Sequence, residues 1–100
     1  MKLNNDSLED SLEKIVHSVG LEKLYSDLIY NIYYFKLDNN TKGMVHVNYV
    51  IEEELFQVKL RQANFKAICI KAINVLEEKE LYEVCKMARD ILNDTMNIKS

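Results

Sequence analysis

One hundred residues, 48% of them apolar and 29% charged, suit one globular domain and argue against a disordered chain or two separate cores. No proline and two glycines leave too few turn residues for an all-β sandwich or barrel. A formal net charge of −3, with no long uninterrupted apolar run, gives no general reason to expect nucleic acid or a lipid bilayer as partner.

The opening segment, MKLNNDSLED, lacks the apolar run of a signal peptide, so a cytoplasmic protein is expected. Asp6 or Ser7 can serve as an N-cap, with Glu9 or Asp10 completing a capping box. Leu8, Leu12, Ile15, Val16 and Val19 then recur at helical spacing, and Gly20 suits a left-handed C′ position after the last of them. A second helical pattern follows, with Leu21, Leu24, Tyr25, Leu28, Ile32 and Phe35 on one face. Its far side begins polar and turns aromatic, where Tyr30, Tyr33 and Tyr34 gather near the end. The stretch Asp38 to Gly43, DNNTKG, is the clearest loop in the chain.

Met44 to Ile51, MVHVNYVI, reads two ways. Its β-branched alternation suits a strand, which would pair with Ile32 to Leu37 across the DNNTKG turn and make the fold α+β with a hairpin at 32–51. Yet Met44, Val47, Ile51, Leu55 and Val58 also keep helical spacing into the next segment, and helix is preferred. Glu52 to Glu78 contains no Gly or Pro and is rich in helix formers, enough for about seven turns. Read as one helix, it carries two apolar stripes. Leu55, Val58, Phe65, Cys69, Ala72, Ile73 and Leu76 form the first; Phe56, Leu60, Ala63 and Ala67 form the second. After the charged break Glu77–Glu80, a last helix shows a single stripe: Leu81, Val84, Cys85, Ala88, Ile91, Leu92, Thr95 and Met96.

Little in the chain points to catalysis. His17 and His46 stand far apart, and Cys69 and Cys85 have no CxxC partner, so neither metal nor cofactor is expected and the cysteines read as buried free thiols. No phosphate loop or nucleophile motif occurs, and the chain is expected not to be an enzyme. Lys59, Arg61, Lys66 and Lys71 make a local basic excess that could hold nucleic acid or a phosphorylated small molecule.

The sequence therefore predicts an all-α domain spanning 1–100, a small four-helix bundle with helices near 6–19, 21–37, 46–78 and 80–96 and a long central third helix. Its excess apolar flank predicts a non-enzymatic protein–protein interaction module, an adaptor, inhibitor or regulatory subunit acting as a homodimer or larger assembly. Phe56, Leu60, Ala63 and Ala67 would carry self-association, and Tyr30, Tyr33 and Tyr34 would meet a protein partner. A ligand-binding regulator built on the four basic residues is the alternative.

Overall fold

The structure, a computed structural model, describes residues 2–3, 8–38 and 43–93. The elements run β1 (Lys2–Leu3), α1 (Leu8–Val19), α2 (Leu21–Leu37), β2 (Met44–Ile51), β3 (Glu54–Arg61), α3 (Gln62–Glu78) and α4 (Tyr82–Asn93). The fold is thus α+β, and the all-α expectation is wrong in its third helix. The expected N-cap at Asp6 or Ser7, most of the DNNTKG loop, and Thr95 and Met96 lie outside the described residues.

What reads as one long helix is a strand, a turn, a second strand and a shorter helix. From Phe56 to Arg61 apolar and polar residues alternate strictly, and Phe56, Val58 and Leu60 all turn inward to burial. Residues four apart share a face in both a strand and a helix, so Phe56 and Leu60 satisfy either period; Val58 decides for the strand. Each stripe is cut at the junction of β3 and α3. Phe56 and Leu60 of one and Val58 of the other form the inner face of β3, and Phe65, Cys69, Ala72 and Leu76 form the inward side of α3.

Met44–Ile51 is the strand of the minority reading, but its partner is different. It pairs antiparallel with β3, from Ile51 opposite Glu54 to Met44 opposite Arg61, while Ile32 to Leu37 remains helical. The turn is Glu52–Glu53, with φ of 51° and 66°. Two successive positive φ values mark a type I′ turn, whose twist matches that of the flanking strands. Glutamates are poor residues for it, because the left-handed region crowds Cβ against the following carbonyl. On its other side β3 takes the short β1 in parallel, giving the order β1-β3-β2.

The organising element is α2. Leu24, Tyr25, Leu28, Ile29 and Ile32 are all buried, and the helix packs against α1, β2, α3 and α4. Each fully buried Leu or Ile contributes about 1.5–3 kcal/mol of hydrophobic stabilisation. Gly20 joins α1 to α2 at φ 92°, ψ 155°, more extended than the left-handed C′ geometry and essentially reserved for glycine. Between α3 and α4 the chain closes a Schellman motif: Leu81 N–H donates to the Leu76 carbonyl and Glu80 N–H to that of Glu77, both at 3.0 Å. α4 keeps the expected single stripe, with Val84, Cys85, Ala88 and Ile91 inside. An Arg89–Glu77 ion pair ties it to α3.

Candidate interaction surface

The residues assigned to self-association do not form one surface. Phe56 and Leu60 are 4% and 0% exposed and belong to the chain's own core, whereas Ala63 and Ala67 lie on the solvent side of α3. The basic set is divided as well. Lys59 projects from the outer face of the sheet opposite His46, Arg61 ends β3, and Lys66 and Lys71 are exposed on α3. The alignment of Lys59 with Lys66 required an uninterrupted helix and is lost. Lys66 instead borders a hollow of about 200 Å³ with Lys36 and Gln62.

The tyrosines do share a region. Tyr30 and Tyr34 are exposed one turn apart on the outer flank of α2, and the Tyr33 and Tyr34 rings meet edge-on at 5.7 Å. Lys23, Asp27 and Asn31 complete this flank. Lys23 pairs with Asp27 at 3.3 Å, and the Asn31 side-chain amide donates to the Asp27 carbonyl at 2.7 Å.

The sheet has an open strand edge. With a two-residue turn, the adjoining pair Ile51–Glu54 is hydrogen-bonded, and alternation assigns Tyr49, Val47 and Val45 to the ladder with β3. The backbone N–H and C=O groups of Val50, Asn48, His46 and Met44 therefore point away from β3. Among the described residues no strand takes them up. Their side chains also face solvent, on the outer side of the sheet.

Edge strands ordinarily carry protection: a lysine, a proline, a bulge, or very short length. β2 has eight residues, no bulge in its register with β3, no proline or glycine, and no ionisable side chain apart from His46 and the buried Tyr49. It is an unguarded edge. The sequence reading missed it, although the signal was present in the uncharged alternation of MVHVNYVI. What concealed it was the turn, which lacks the Asn-Gly or Asp-Gly that announces a hairpin.

A side-chain bond joins β2 to α2. The Tyr49 hydroxyl donates to Asp27 Oδ2 at 2.8 Å, and burial followed by this carboxylate contact raises the phenol's pKa. Tyr49 thus meets α2 at Asp27, whereas Tyr30 of the same helix borders a hollow with Lys79, Leu81 and Val84.

A hollow of about 920 Å³ lies elsewhere, between α1 and the hairpin turn. Glu13, Glu52 and Glu54 line it with His17, and Lys14 stands 6.0 Å from the Phe56 ring centre. Among the described residues no His, Cys, Asp or Glu cluster is arranged to hold a metal ion. No described helix is long and apolar enough to cross a membrane. No protein-family profile, curated protein or solved structure matches the chain.

Proposed function

We propose that this protein is an interaction module that binds other polypeptide by strand addition at β2. The observation that carries this reading is the eight-residue edge without a guarding charge or proline. Such an edge offers alternate N–H and C=O groups to an incoming strand, which gains main-chain hydrogen bonds from it. The long two-faced helix has no part in this reading, and Phe56 and Leu60 act only as core.

Site-specific photocrosslinking tests it. A benzophenone side chain is placed at position 48 on the open edge and, for contrast, at position 71 on the exposed side of α3. Irradiation in the host cell is expected to give discrete higher-mass adducts from position 48 and none from position 71. Absence of any adduct at 48, whether with the same chain or another, would remove the proposal.

A further inference from the structure

We infer that the strand added at β2 is the β2 of a second copy, paired antiparallel about a two-fold axis through Val47. This rests on the strand-addition reading and names its partner.

The argument begins with the pattern of the strand. Along its outer face β2 reads Met44, His46, Asn48, Val50, which is apolar, polar, polar, apolar. That order is the same from either end, with its centre at Val47. In an antiparallel pair centred there, Met44 lies opposite Val50 of the second copy and His46 opposite its Asn48. The two exposed apolar residues, 41% and 56% accessible, thereby cover each other. The imidazole and the amide become cross-strand neighbours able to hydrogen-bond. On the inner face Val47 meets its own equivalent and Val45 meets Tyr49. The register is also correct for the backbone, because it opposes even-numbered residues, whose N–H and C=O groups are the free ones.

Charge selects both the orientation and the partner. No carboxylate or ammonium lies within the strand, so two copies meet without like-charge repulsion. Antiparallel pairing sends the Glu52–Glu53 turns to opposite ends, whereas parallel pairing would set four carboxylates side by side.

The test is sedimentation equilibrium or light scattering across 1–100 µM, about the range expected of a modest interface. Wild type is expected to dimerise. Asn48→Pro removes an N–H that β3 does not use, and it acts twice by symmetry, so the dimer dissociation constant should rise about thirtyfold. Circular dichroism and the melting curve report whether that variant remains folded. A second, register-specific pair of variants stays clear of the backbone: Met44→Glu should weaken the dimer, and adding Val50→Lys should restore it. A wild type that stays monomeric at 100 µM, a dimer indifferent to Asn48→Pro, or failure of Val50→Lys to rescue would each overturn the inference. Self-pairing alone fails if position 48 crosslinks only to other proteins; strand addition itself fails if it crosslinks to nothing.

Discussion

Glu52 and Glu53 lie one after the other in the left-handed region, an unfavourable local conformation for residues with a Cβ. Each non-glycine residue held there costs about 1–2 kcal/mol, less for Asn and almost nothing for Gly. Replacing Glu52 by Asn and Glu53 by Gly should therefore raise the unfolding free energy by about 1–2 kcal/mol, read as a higher urea midpoint with an unchanged slope. A midpoint that falls would mean that the carboxylates make contacts worth more than the strain. Glu80, with φ 59° at the C′ position of the Schellman motif, follows the same logic. Glu80→Gly is expected to stabilise by about 0.5–1 kcal/mol, checked in the same titration.

At the scale of elements, the joints decide where helices end. Gly20 has no atom within 4 Å of the place where a Cβ would sit, so its role is in the backbone alone. Gly20→Ala should cost about 1–3 kcal/mol without any steric clash, measured by thermal or denaturant unfolding, and a neutral result would mean the α1–α2 joint can reshape.

The same scale separates what could be read from the sequence from what could not. α1, α2 and α4 were legible because each puts a sustained stripe at the 3.6-residue period against a polar remainder, from Leu12 to Val19, Leu24 to Ile32 and Val84 to Ile91. β3 was not, because Glu52, Glu53, Glu54 and Leu55 all favour helix and the spacing of Phe56 and Leu60 fits both periods. Pairing with β2 overrode local propensity, and only the unbroken alternation FQVKLR registered it. Tyr30 and Tyr34 were recognisable as exposed aromatics. The open edge depended on knowing where the hairpin turns, which no Asn-Gly announced.

For the molecule as a whole, the buried thiols report integrity. Cys69 and Cys85 are free and fully buried on α3 and α4. Burial pushes the Cys69 thiol from its ordinary 9.0 up to about 11, with Lys36 partly opposing, and burial raises Cys85 as well. Because the folded state holds the neutral thiol, its contribution is complete below pH 9, where both states are protonated. It is lost as pH rises through about 11, at roughly 1.4 kcal/mol per pH unit for one such group. Tyr49, also raised, adds to the loss from about pH 10 upward. Denaturant midpoints are expected to be insensitive to these groups up to pH 9 and to drop beyond it. A thiol reagent at pH 8 should label neither cysteine until the chain unfolds, and rapid labelling of the native protein would contradict the packing of α3 on α4.

Arg61 is both the final residue of β3 and the N-cap of α3, its amide held by Asn64 Oδ1 at 3.0 Å. No linker residue intervenes, so the hairpin and the helical pair behind it are coupled like a lever and its shaft. Tugging on the strand would load α3 directly rather than be absorbed as slack.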